Sequence, residues 1–261
     1  MPESDSMSGV PKIFDSRLRR MRRRRAAAGF SSFAFLADAV AEEIGERLRA
    51  LGVTATTAVS YGACVPQAPL DWIRGDLEAS LLPPGGVVFN EEDLPFAASS
   101  LDLYASVLTL HAVNDLPGAL AQVRRCLRPG GLFVAGLLGG ETLRELRAAL
   151  GQAEIEIDGG LSPRVAPFVD VRDAGSLLQR AGFAEPVADI DSVTVHYEHP
   201  LKLMADLRGM GETNVLGERR RQFLKRAVLM RACALYLGQA RESDGRVPAT
   251  FQLLYLTGRA S

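Results

Sequence analysis

Cysteine, histidine and aromatic residues are all scarce in this 261-residue chain, and each shortage removes a class of explanation. Cys64, Cys126 and Cys233 are odd in number, far apart and set among apolar neighbours. They argue against a disulfide framework and for reduced, buried thiols in a cytoplasmic compartment. Only three histidines are available for a metal centre. Two of them, His196 and His199, flank Glu198, but strand alternation puts His196 and Glu198 on one face and His199 on the other, so no metal is expected. No apolar run reaches the roughly 18 residues of a membrane span. The first residues carry Glu3 and Asp5 with no apolar stretch, unlike a secretory signal. There is no Gly-x-Ser-x-Gly elbow, no Gly-rich phosphate loop ending in Gly-Lys-Ser/Thr, and no zinc-type cysteine pair. Serine hydrolases, P-loop enzymes and structural zinc proteins fall away with them.

What is present is ordinary globular material, 47% hydrophobic and 23% charged. That is enough for one sizeable core, and one α/β domain with additions fits better than two domains. The expected division is a basic, helical extension over 1–50 and a domain over 51–261 with a helical insertion at 200–241. A net charge of −1 argues against a chain that binds nucleic acid or membranes over its whole surface. The one strongly biased stretch is RLRRMRRRR at 17–25, with seven arginines. Phe33, Leu36, Val40, Ile44, Leu48 and Leu51 then recur at helical spacing. The arginines read first as a solvated helical entry. The alternative is a handle for an acidic partner or for weak membrane association, between Arg17 and Arg25. No aromatic residues interleave with them, so nucleic acid is not an expected partner.

From residue 54 onward β-like runs alternate with helical ones, which predicts a mostly parallel sheet. Strands are expected over 56–61, 70–74, 86–89, 101–108, 132–137, 193–197 and 251–256. Helices are expected over 116–127, 141–150 and 174–181. The apolar run at 101–108 suits a strand covered on both faces. Pro129, Gly130 and Gly131 end the helix before them.

LPFAASSLDLYASVLTLHAVNDLPGALAQVRRCLRPGG, at 94–131, resembles the core of class I S-adenosylmethionine-dependent methyltransferases. FDSRLRRMRRRRAA, HAVNDLPGAL, GGETLRELRAAL, LMADLRGMGETN and DGRVPATFQLLYLTG extend the likeness over nearly all of 12–258. There the chain is similar to the methyltransferase-like assembly factors of respiratory complex I, a family linked to arginine hydroxylation; the malonyl carrier-protein methyltransferases are more distant. The resemblance implies a Rossmann-like seven-stranded sheet with its last strand antiparallel and a helical lid. It also implies S-adenosylmethionine as cofactor, and a respiratory-chain subunit or a small molecule as partner.

In that fold the first strand runs into three glycines, so that backbone and a helix N-terminus approach the ligand. Here the three positions read Gly62, Cys64 and Pro66. Cys64 adds a Cβ where close approach is wanted, and Pro66 has no N–H to donate. The stretch from Gly62 to Asp76 is also too short for a crossover helix together with a strand. A segment without a full helix is therefore expected over 63–70, with the pocket open or filled by side chains.

Asp76 stands where a carboxylate meets ribose hydroxyls, or is a helix N-cap. Asn90 and Glu91 stand where adenine would be met, or in a solvated loop. Ser106, Leu108 and His111 lie at the C-terminal edge of the strand over 101–108, where open α/β sheets bind ligands. His111 is a candidate general base, or a partly buried histidine before the next helix. Two functions stay open: an enzyme that uses an adenosyl cofactor for methylation or arginine modification, and a cofactor-deficient relative that serves as a binding or assembly module.

Overall fold

The computed structural model describes residues 11–261 except 67, 70 and 241–243. Seven strands form one sheet in the order β3-β2-β1-β4-β5-β7-β6. They are β1 (Ala58–Gly62), β2 (Ile73–Asp76), β3 (Val87–Val88), β4 (Leu101–Val107), β5 (Leu127–Leu138), β6 (Phe183–Tyr197) and β7 (Val247–Ala260). The first five are parallel, and β7 runs antiparallel to both β5 and β6. This is the expected Rossmann-like methyltransferase sheet. β4 lies at its centre, and six of its seven residues are buried, as the apolar run requires.

Helices cover both faces. On one face α2 (Phe35–Ala50), α4 (Arg144–Asp158), α6 (Pro200–Gly209) and α7 (Arg226–Ala240) share a core with β4, β5 and β7. On the other, α3 (Leu116–Cys126) and α5 (Val171–Arg180) pack around Tyr104, Phe133 and Phe183. Val40, Ala41 and Ile44 of α2 are wholly buried, so this part of the 1–50 segment belongs to the main core. In front of it α1 (Ser16–Ala27) crosses the C-terminal edge of the sheet. The Asp15 side chain caps α1 by accepting the Leu18 N–H. Phe14 exchanges two hydrogen bonds with the Asn114 side chain, and Asp15 N–H donates to the Val215 carbonyl. Those bonds hold the helix over the edge.

Several boundaries differ from expectation for identifiable reasons. β6 and β7 are 15 and 14 residues long, far beyond 193–197 and 251–256. β6 is an edge strand with both faces half open to water, so no continuous apolar face marks its period. A bulge between Ala184 and Val187, with Glu185 at φ 51°, interrupts it further. α4 begins at Arg144, not 141, because the Leu143 N–H is taken by the Thr250 carbonyl. The strand expected over 70–74 runs Ile73–Asp76; its expected first residue, like the end of the 200–241 insertion, lies outside the described residues. Among the described residues of 63–72 there is no helix. Cys126 and Cys233 are buried, but Cys64 is exposed, contrary to expectation, because that segment runs across the surface.

Candidate functional site

The parallel strands deliver Gly62, Asp76, Asn90, Glu91, Ser106 and Leu108 to one edge, with His111 in the 3-10 turn just beyond it. The pairings Gly62 with Val107 and Asp76 with Val88 put these strand ends level. The candidate residues named from the sequence therefore share one edge of the sheet. What the side chains do there differs from a cofactor pocket.

Gly62 has φ 84°, and a Cβ on it would lie 2.3 Å from the Val107 carbonyl oxygen. Glycine is required here by the contact between neighbouring strands. Asp76 is 1% exposed, and both its carboxylate oxygens are taken by Arg23 of α1, through Nη2 and through Nε at 3.1 Å. Its Oδ1 also accepts the Glu78 N–H at 2.9 Å, a turn contact and not the expected helix cap, because Glu78 itself caps the short 3-10 turn over 79–81. Arg20, one turn earlier on α1, reaches Glu78 at 3.2 Å.

Glu91 does not sit in a solvated loop; it is buried. Ser106 Oγ donates to Glu91 Oε1 at 2.7 Å, and Thr109 Oγ1 lies 2.7 Å from Ser106 Oγ. Burial pushes the Glu91 carboxyl above the usual carboxylate range, against the opposing pull of the nearby Arg19 guanidinium. Arg19, also buried, donates to the Thr109 carbonyl at 2.7 Å and to the Ala112 carbonyl at 3.2 Å. Asn90 faces neither group: its side chain meets only Glu92. Leu108, at φ 51°, donates its N–H to the Gly136 carbonyl and turns the chain away from the strand.

A raised carboxyl has a definite pH signature. Its contribution to stability is complete below the unfolded-state pKa and is lost as pH rises through the higher folded value. Glu91→Gln, which keeps an acceptor for Ser106, should therefore gain on the wild type in thermal melts as pH rises from about 4 to 8. A gap that does not change with pH would show that the carboxyl is ionised throughout.

The reading of the arginine run as purely solvated is corrected at two positions. Leu18, Arg19, Arg23 and Ala26 form the buried side of α1, so Arg19 and Arg23, one turn apart, point into the sheet edge. Leu18 and Ala26, the apolar residues on that same side, were the available signal. Glu212, inside the GMGETN stretch, is the other residue sequence reasoning passed over. His111 Nε2 lies 3.1 Å from Glu212 Oε2. Burial works against the Glu212 charge, but His111, Arg23 and Arg19 hold its carboxyl below the usual range.

Two cavities flank His111. The inner one, where the methionine end of a cofactor would enter, has a volume of about 30 Å³ between Arg23, Phe30, Phe33, Ala63 and Leu108. Ligand pockets are commonly about 300 Å³ or more. With both Asp76 oxygens engaged by Arg23 and so little space beside Ala63, the residues as arranged do not fit S-adenosylmethionine. The outer cavity is about 290 Å³ and mostly apolar, with Phe168, Met204, Leu207 and Leu224 around His111 and Glu212. His111 is 2% exposed at its side chain, and its Nδ1 has no hydrogen-bond partner. Phe168 meets the imidazole edge-on, with ring centres 5.6 Å apart. Chemically, this is a mostly apolar slot with one imidazole–carboxylate pair and one ring nitrogen without a partner among the described residues.

Comparison with known proteins agrees with the sheet. A methyltransferase domain family matches residues 46–135. The arginine-hydroxylase NDUFAF5, mitochondrial, of Danio rerio is 45% identical over 69% of this chain and 56% of its own length. The chain spans about half the length of the arginine-hydroxylase relatives it matches. A malonyl-[acyl-carrier protein] O-methyltransferase of Halorhodospira halophila is 31% identical over 95% of this chain and 88% of its own. Among solved structures, the phosphoethanolamine N-methyltransferase 2 of Haemonchus contortus in complex with S-adenosyl-L-methionine superposes with a TM-score of 0.53. It is 12% identical and covers 92% of this chain and 59% of that one, a likeness of fold.

Proposed function

This chain belongs to the class I S-adenosylmethionine-dependent methyltransferase superfamily, and on that premise we propose that it is a binding and assembly module for a respiratory-chain subunit, working without the superfamily's cofactor. The observation that carries this reading is the Arg23–Asp76 pair: the carboxylate at the ribose position is engaged inside the protein by two hydrogen bonds from its own α1. The outer cavity beside His111 and Glu212 then serves to hold a side chain of the partner. Homology to the arginine-hydroxylase NDUFAF5 proteins supports a partner in respiratory complex I. In this reading the chain works in the cytoplasm, against the membrane that carries its partner, and meets it weakly through the arginine run 17–25. Among the described residues no helix is long and apolar enough to cross that membrane.

A second reading rests on a specific observation. Asp76 and Glu91 stand at the ends of β2 and β3, where a nucleotide-binding sheet presents carboxylates. If α1 swung away, both would face an adenosyl ligand, and His111 would be the candidate base.

Complementation tests the first reading. In cells lacking this chain, the wild type should restore complex I assembly, and Met204→Trp, which fills the outer cavity, should restore little of it while melting within a few degrees of the wild type. A wild-type chain that leaves assembly unrestored overturns the proposal.

A further inference from the structure

We propose that this chain carries a docking face for anionic lipid, built from the outer side of α1 and the basic arm 217–226, with Phe223 as its apolar anchor. The proposal rests on the reading that the arginine run meets a membrane, and adds to it a second element and a lipid chemistry.

The two sides of α1 have different partners. With Leu18, Arg19, Arg23 and Ala26 turned inward, the opposite side presents Arg17, Arg20, Met21, Arg24 and Arg25, all exposed. The helix contains no acidic residue. Arg20 and Arg23 pair with Glu78 and Asp76, whereas Arg24 and Arg25 have no carboxylate partner among the described residues.

The arm 217–226 holds five basic residues and one acidic one; Arg219 pairs with Asp15, and Arg220 and Lys225 pair with Asp158, so Arg221 and Arg226 are its cations without a carboxylate partner among the described residues. It is tied to α1 at several points. Phe14 bridges to Leu216, Arg219 donates to Asp15 at 3.3 Å, and Arg221 lines an open hollow with Lys12 and Arg17, whose wall also carries Asp15, Glu92 and Asp115. Cations are crowded at this junction. Arg22 Nε is buried without a partner, and burial, then Arg25, Arg219 and Arg208, pull its guanidinium below its usual range. Like charges held this close call for an anion.

The apolar residues decide which anion. Phe223, two residues beyond Arg221, is 101% exposed, and Met21 is exposed among the arginines of α1. A free phosphate or an acidic peptide satisfies arginines and leaves these side chains in water. A lipid surface satisfies both, because headgroup phosphates meet the guanidinium groups while an aromatic ring enters the acyl boundary. Nucleic acid would want several interleaved aromatic rings, and this face has one. With a whole-chain charge of −1, attraction to an anionic surface has to come from a local face such as this one and not from the chain as a whole.

Co-sedimentation of the full chain with two vesicle types is the test: phosphatidylcholine alone, and phosphatidylcholine with phosphatidylglycerol. Binding is expected only to the anionic vesicles and should fall with added salt. Arg24→Glu/Arg25→Glu should weaken it roughly 25-fold or more, taking the usual contribution of each basic residue at such a surface. Phe223→Ser should weaken it about tenfold, the value of burying one large apolar side chain. Each of these exposed positions should leave the melting temperature nearly unchanged. A wild type that ignores anionic vesicles at low salt overturns the membrane reading as a whole. Binding to anionic vesicles that survives both Phe223→Ser and Arg221→Glu leaves the membrane reading standing and overturns the face proposed here. Displacement by soluble polyglutamate with no dependence on Phe223 also overturns it, in favour of an acidic protein partner.

Discussion

Arg23→Met should lower the melting temperature by roughly 10–15 °C. The substitution removes one partner of a buried pair and leaves the Asp76 carboxylate 1% exposed, with only the Glu78 N–H as donor. Breaking such a pair commonly costs about 3–5 kcal/mol, and a kcal/mol is worth about 2–4 °C at this chain length. The double variant Arg23→Met/Asp76→Leu removes both charges, and it should recover most of the loss, since a well-packed apolar pair replaces a buried ion pair at little cost. Arg23→Lys should recover only part, because an ammonium cannot form the two-pronged contact of a guanidinium. Thermal melts of the three variants check the whole series. A single variant melting within about 2 °C of the wild type would mean that α1 is not fastened to the sheet edge through Asp76.

Calorimetric titration of the wild type with S-adenosylmethionine should give no saturable heat, with a dissociation constant weaker than about 1 mM. Two losses combine. The glycine loop and its helix would have supplied charge-assisted contacts to the methionine end, each worth roughly 1.5–3 kcal/mol, or one to two decades of affinity. Recruiting Asp76 for a ribose would also mean breaking its pair with Arg23, at about 3–5 kcal/mol. Cys64→Gly/Pro66→Gly should leave the titration flat, because new glycines restore neither the helix nor the carboxylate. Low-micromolar saturation by the wild type, abolished in Asp76→Ala, would falsify the cofactor-free reading. In that event α1 must be able to leave the edge, and the enzyme reading takes its place.

The sheet was legible because its central signals are local. LDLYASV announces a strand buried on both faces, and Pro129 with the two following glycines announces the end of a helix; each follows from period and backbone freedom within a few residues. That no helix follows β1 among the described residues of 63–72 could be read for the same reason, from two prolines and a short crossover. β6 was largely missed, since both faces of this edge strand are half open to water, leaving no apolar face to mark a period, and its length is set by its pairing with β7. The site was half legible. Its edge and its carboxylates followed from fold geometry, and their occupants did not.

By itself, the sequence determined the α/β alternation, the residues Gly62, Cys64 and Pro66 after β1, and the placing of Asp76, Glu91, Ser106 and His111 at one edge. These depend on which residues are neighbours in the chain. Only the tertiary structure decided that Arg19 and Arg23 turn inward, that Glu91 is buried and that Glu212 meets His111. Arg23 and Asp76 are 53 residues apart, and His111 and Glu212 are 101 apart. A charged side chain taken alone is most stable in water, so local reasoning sends it to the surface. Burial becomes favourable only when a partner arrives from elsewhere in the chain, and the packing of α1 across the strand ends supplies that partner.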